Sequence, residues 1–208
     1  MTKKIDHLVY CVQNLEDAIS DLEKKLGVTA IIGGRHTTQG TKNALINLGD
    51  KCYLEILAID HENQTVKTDR WMGIDLLQES KITRWAIKSN KIIADAKYLE
   101  QYNKLMGHVT KGSRKMTNGK TLIWQIAMPL SAPEIDIAPF ITDWSDSDAH
   151  PTDSLDHKCK LLELRLSHPN PKDLENLFYK LDIGVSITKS ENISIKAIIQ
   201  CPKGIVHL

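Results

Sequence analysis

The sequence lacks any excess of one charge: its 208 residues carry 27 Lys plus Arg against 26 Asp plus Glu. A chain so balanced presents no net field to hold a nucleic-acid backbone or an acidic membrane surface, and neither partner is expected. Long apolar runs are also missing. The clearest, IDHLVYCV near the start and KAIIQC near the end, are strand-sized and fall well short of the ~20 residues that a membrane span needs. The opening MTKKIDHLVY has two lysines but no apolar signal core, because Asp6 and His7 interrupt it, so a cytoplasmic protein is expected. Closely spaced cysteines are absent too. Cys11, Cys52, Cys159 and Cys201 show no C-x-x-C spacing of the zinc or dithiol redox type, and they read as buried free thiols.

What the sequence does have is 41% apolar residues, enough for an ordinary core without staples, arranged as a weak internal repeat. The first copy reads as strand IDHLVYCV, helix LEDAISDLEKKLG, then strands VTAIIGG, ALINLG and CYLEILA. Leu15, Ala18, Ile19, Leu22 and Leu26 follow the spacing of one buried helix face, with Asn14 as N-cap and Gly27 at the C-terminal cap. The second copy runs from ITRWAIKS through a helix over 92–107, ending at Gly107, to strands HVTKGSRK, TLIWQIAM and IAPFITDW, with Asn118-Gly119 as a hairpin turn. A third, shorter copy begins with LLELRLSH, continues with a helix over 173–184, and ends with VSITKS, SIKAIIQC and GIVHL. Ile183-Gly184-Val185 repeats the helix exit of Leu26-Gly27-Val28.

The expected fold is therefore α+β, with repeated βαβββ modules forming a curved mixed sheet and a third partial module. The boundaries are a first module over 1–60, a linker over 61–80, a second module over 81–145, a polar loop over 146–158 and the third module over 159–208. The linker and the polar loop are long enough to be candidates for covering a site.

Strand parity indicates which side chains share a face. His7 goes with Val9 in the first strand, and Glu55 with Tyr53 and Leu57 in the fourth. A carboxylate in so apolar a strand needs a partner. His7 and Glu55 read equally well as metal ligands or as a satisfied core histidine and a carboxylate paired with Arg84.

With H-L-V on the first strand and Y-L-E-I on the fourth, residues 5–145, and 5–60 above all, resemble the vicinal oxygen chelate superfamily and, within it, the uncharacterised glyoxalase-like group. The resemblance implies a cup built by two paired modules, and His7 and Glu55 as ligands of one divalent ion, Zn, Mn, Fe or Ni. The second module departs from that pattern. Sliding ITRWAIKS onto IDHLVYCV puts Arg84 where His7 stands, and the loose overlay of PFITDW on CYLEILA offers Thr142 or Asp143 for Glu55. His36 or His150 are the further candidates to complete a site.

Arg84 suits a carboxylate or phosphate on a ligand. In GGRHTTQGT the glycines allow close backbone approach, while Arg35, His36 and Thr41 supply donors, with Asn43 on the next strand. Trp85 and Trp124 read as packing, and Trp144 as the tryptophan to touch a ligand. Two functions follow from this reading. The first is a metal-dependent lyase, isomerase or dioxygenase acting on a small anionic carbonyl compound, with Glu55 and Arg84 in its chemistry. The second is a metal-free protein that sequesters a small amphipathic anion. A homodimer assembled through the third module is a further expectation.

Overall fold

Asn14 separates the first strand from the first helix: its backbone is extended and its side chain accepts from the Asp17 amide at 3.0 Å. Helix α1 (Leu15–Leu26) then buries Leu15, Leu22 and Leu26 and stops on Gly27 in the left-handed conformation (φ 75°). Glu16 and Asp17 sit in its first turn and Lys24 and Lys25 in its last, each sign matching the helix dipole. The computed structural model describes residues 2–115 and 119–208.

Around α1 the first unit consists of β1 (Ile5–Cys11), β2 (Ile31–His36), β3 (Thr41–Asn47) and β4 (Tyr53–Ile59). The second contains β5 (Lys81–Lys88), α2 (Ile92–Tyr102), β6 (Val109–Lys115), β7 (Thr121–Ala127) and β8 (Phe140–Asp143). Together they make one eight-stranded sheet in the order β2-β3-β4-β1-β5-β8-β7-β6. The first strands of the two units, β1 and β5, pair antiparallel at its centre, and each pairs in parallel with the last strand of its own unit, β4 or β8. This is the curled mixed sheet that the repeat implied.

The two faces of the sheet bury different sets of side chains. Leu8, Leu54, Ile56 and Trp85 pack with Leu22, Leu26 and Leu99 on the helix side. Fully burying a leucine contributes about 1.5–3 kcal/mol, so this side carries most of the core. On the concave side Val9, Leu57, Ala86 and Phe140 pack with Met72 and Ile74 from the segment that crosses the cup between β4 and β5.

A second, four-stranded sheet is built from β9 (Lys160–His168), β10 (Ile187–Lys189), β11 (Ser194–Cys201) and β12 (Gly204–His207), with α3 (Lys172–Lys180) between β9 and β10. Its order is β10-β9-β11-β12, so the parallel partner of β9 is the first strand after the helix rather than the last. The third repeat thus copies the order of elements but not their pairing. Its helix packs on the main core, with the Phe178 and Trp85 rings 5.8 Å apart.

Several boundaries differ from the sequence reading. Helix α2 ends at Tyr102 instead of Gly107, because Asn103 is extended and its side chain accepts from the Leu105 amide, an alternative to further helix. The two helix exits are unlike: in the second, Asp182 takes the positive φ of 55°, and Gly184 is instead needed for closeness, since a Cβ there would meet Thr2 at 2.8 Å. Of the expected Asn118-Gly119 turn, Asn118 lies outside the described residues, while the flanking strands pair antiparallel with Lys115 opposite Thr121. All four cysteines are buried free thiols, as expected. Among the described residues no helix is long and apolar enough to cross a membrane.

Candidate functional site in the cup

His7 and Glu55 come together as their strand parity predicts. β1 and β4 run parallel with Val9 opposite Glu55 and His7 opposite Tyr53, which sets the imidazole and the carboxylate side by side. His7 Nε2 lies 3.5 Å from Glu55 Oε2, and the His7 ring stacks on Tyr53 at 4.5 Å. Glu55 Oε1 accepts from Asn43 Nδ2 at 2.6 Å. The pair lines the floor of a cavity of about 530 Å³, measured with its open mouth.

Behind His7 stands a residue that parity conceals. Pairing between β1 and β5 slips between Ile5 and His7, so Asp6 is the extra residue of a β-bulge and its side chain reaches His7. Asp6 Oδ2 is 2.8 Å from His7 Nδ1, Oδ1 is 3.3 Å from His150 Nε2, and Trp144 Nε1–H donates to both oxygens at 3.2 Å. Asp6 is fully buried, which alone would raise its pKa, but the hydrogen bonds from His150 and His7 outweigh burial and hold it well below the carboxylate range. An ionised Asp6 only accepts, so His7 donates Nδ1–H to it and turns Nε2 toward Glu55.

The wall formed by β2 and β3 explains the glycine-rich segment, which is a hairpin and not an open loop. Gly33 is the extra residue where pairing shifts between Ile32 and Gly34, and a Cβ there would lie 2.2 Å from Asn43 Oδ1. A Cβ on Gly34 would meet the Arg114 guanidinium at 3.2 Å. The glycines therefore make room for two cavity side chains. His36 Nε2 is 3.8 Å from Glu55 Oε1, and its Nδ1 is 3.0 Å from Thr41 Oγ1. Trp71 Nε1–H donates to that same oxygen at 3.2 Å, so Thr41 ties His36 to the segment that crosses the cup. Burial, with Arg114 nearby, pushes the His36 pKa down against the pull of Glu55.

Of the other expected residues, Asn43, His36 and Trp144 line the cavity, and Thr41 stands just behind them. Arg35 and Arg84 do not line it. Arg35 turns outward to Asp60, at 2.9 Å, and Glu62. Arg84 is buried in the loop before β8, where its guanidinium donates to the carbonyls of Thr83, Leu130, Pro133 and Glu134. It is neither in the cavity nor paired with Glu55. Burial lowers its pKa, with Asp136 opposing. The residues that sequence reasoning missed are Asp6, Arg114, and Trp71 and Met72 from the linker.

The divalent ion implied for this cup can be tested against the donors present. In the central pairing His7 lies opposite Ala86 and Val9 opposite Arg84, so the operation relating the two halves carries His7 onto Arg84 and Val9 onto Ala86. Since Val9 is opposite Glu55 and Ala86 opposite Phe140, the counterpart of Glu55 is Phe140, not Thr142 or Asp143. The second half thus places an arginine and a phenylalanine at the positions matching His7 and Glu55, and neither can ligate a metal ion. Among the described residues no three His, Cys, Asp or Glu side chains are gathered so as to hold a metal ion. As arranged, these side chains do not fit one.

No curated protein matches the chain. The crystal structure of a hypothetical protein from Staphylococcus aureus shares its fold, with a TM-score of 0.67 at 18% identity over 97% of this chain and 92% of that one. Methylmalonyl-CoA epimerase from Mycobacterium tuberculosis aligns at 18% identity over 67% of this chain and 85% of its own, with a TM-score of 0.41. A hypothetical protein from Bacillus halodurans aligns at 17% identity over 69% and 94%, with a TM-score of 0.42. A family model described as a glyoxalase-like domain matches residues 5–181. The chain belongs to the glyoxalase-like domain family.

Proposed function

We propose that the cup binds a small anionic carbonyl compound and moves a proton at the carbon next to the carbonyl, an isomerase- or lyase-type reaction that needs no metal. The observation that carries this reading is the 3.5 Å approach of His7 Nε2 to Glu55 Oε2 on the cavity floor. A basic nitrogen and a carboxylate face to face can remove a proton at one site and return it at another. Asp6 steadies the imidazole for this task by holding its far nitrogen as a donor.

Substrate orientation passes from Arg84 to Arg114, the one Lys or Arg among the described residues that lines the cavity. Its guanidinium receives the anionic group, and negative charge that develops on the carbonyl oxygen falls within its field. Trp71, Trp124, Leu122 and Ile126 contact the apolar body of the ligand.

The test is deuterium incorporation from heavy water into a panel of 2-substituted carboxylates and oxo acids, followed by NMR. Exchange in at least one compound is expected, with a ~10²–10⁴-fold loss in Glu55→Gln. Exchange unaffected by Glu55→Gln would sink the acid–base reading. A second reading, a metal-free binding protein for an amphipathic anion, is favoured by the apolar share of the lining, with three tryptophans around the cavity. Tight binding of a panel compound with no exchange would select it.

A further inference from the structure

Asp6 is shared. It accepts from His7, which points into the cavity, and from His150 and Trp144, which belong to the segment leaving β8 and running over the cup. Each histidine has a definite oxygen. Oδ2 takes His7 at 2.8 Å, Oδ1 takes His150 at 3.3 Å, and the Trp144 indole bridges the two. His150 is itself fixed. Its Nδ1 accepts from the Thr152 amide at 3.3 Å and lies 2.8 Å from the Thr152 hydroxyl, so the ring proton is on Nε2, toward Asp6. The His150 amide donates to Asp153 Oδ2 at 2.9 Å, closing a capping box on the short 3₁₀ turn Pro151–Ser154. Its ring packs edge-on against Trp144 at 5.3 Å and Tyr53 at 5.9 Å, and Tyr53 is the ring on which His7 stacks.

We infer that His150 is a positioning residue: through Asp6 it fixes the orientation and tautomer of His7, so that docking of the 144–154 segment and readiness of the His7 Nε2 lone pair are one event. The reasoning is geometric. A carboxylate with one oxygen pinned by His150 cannot turn about its bond to Cβ, so the other oxygen stays aimed at His7 Nδ1. Lys88 Nζ, at 4.0 Å from Oδ1, is the alternative partner, and its ammonium already donates to the carbonyl of Lys51 at 2.7 Å. Released from His150, the carboxylate swings toward Lys88 and loosens its hold on the imidazole.

The consequence for turnover rests on the acid–base role proposed for His7, but the tautomer itself is read without any activity. Full-length protein labelled with ¹⁵N-histidine is compared by long-range ¹H–¹⁵N spectra in wild type, His150→Leu and His150→Gln. Wild type shows His7 as a single Nδ1–H tautomer with a slowly exchanging proton. In His150→Leu that proton exchanges faster and the two nitrogen shifts move toward their tautomer average. His150→Gln, which retains a side-chain donor, restores the wild-type pattern.

If His150→Leu does not fold, His150→Phe replaces it, keeping the ring packing against Trp144 and Tyr53 while removing the donor to Asp6, with a change in the same direction. An unchanged His7 spectrum and exchange rate in the folded variant overturns the inference. Where deuterium exchange is measurable, kcat falls roughly 10–100-fold with KM retained, the scale expected when the hydrogen-bond partner behind an imidazole is disturbed. A shifted tautomer in a protein with no exchange activity would leave the positioning intact and remove the proposed reaction.

Discussion

Phe140 stands in the second half of the sheet where Glu55 stands in the first, because Ala86 is opposite one and Val9 opposite the other. Arg84 likewise stands where His7 does. The cup is symmetric in backbone and asymmetric in chemistry: one half brings an imidazole and a carboxylate, the other a ring that packs against His7 at 5.1 Å. Acid–base work is possible on one side only, and the opposite wall is free to shape the ligand.

Asp6 is a stability residue with a defined pH signature. Asp6→Ala leaves three buried donors without their acceptor and lowers stability by roughly 3–5 kcal/mol at neutral pH. The folded pKa is depressed, so the contribution is complete above the unfolded value of about 4 and is lost as pH falls below it toward the folded value. Urea melts of wild type and variant should converge as pH is lowered from 5 to 2. A gap that does not narrow would show that the carboxylate is not held ionised.

The two arginines should separate by phenotype. Arg84→Met strips hydrogen bonds from buried carbonyls of the loop before β8 and should cost about 2–4 kcal/mol, with little change in anion affinity once folded. Arg114 forms no ion pair with a carboxylate among the described residues. Arg114→Met should therefore change stability by less than about 0.5 kcal/mol yet weaken binding of an anionic ligand tenfold or more. Calorimetric melts and titrations with the same ligand distinguish the pair, and equal effects on binding would contradict the assignment.

Gly33→Ala places a methyl where Asn43 Oδ1 sits, at 2.2 Å. Because the strand backbone cannot retreat without breaking the β2–β3 pairing, Asn43 must turn away and Glu55 loses its hydrogen bond. Destabilisation of about 1–3 kcal/mol is expected, with loss of ligand binding. A variant with wild-type affinity would mean that Asn43 does not hold Glu55 for function.

The sequence displayed the regular parts of this arrangement and hid the irregular ones. Period-two alternation put His7 with Val9 and Glu55 with Tyr53, and both pairs face the cup. The repeat announced two units that merge into one sheet. Asp6 was hidden because a bulge turned it onto the face that alternation assigns to its neighbour. Parity also placed Arg84 on the cup side, but its length lets the guanidinium reach the loop carbonyls at 130, 133 and 134, which no local pattern marks. Arg114 lies in KGSRK, a strand too polar to suggest a cavity wall, and it reaches the site only because Gly34 leaves room. Trp71 and Met72 belong to a segment whose composition reads as a linker, and its path across the cup is fixed by tertiary contacts such as Trp71 to Thr41.

The most direct measurement is deuterium exchange into a responsive panel compound by protein stripped with a chelator, then by the same protein supplied in turn with Zn, Mn, Fe and Ni. A cup in which His7 and Glu55 act as an acid–base pair gives exchange in the stripped protein, at a rate changed less than about twofold by any ion. Exchange that is absent after stripping and restored by one of the four ions would contradict it.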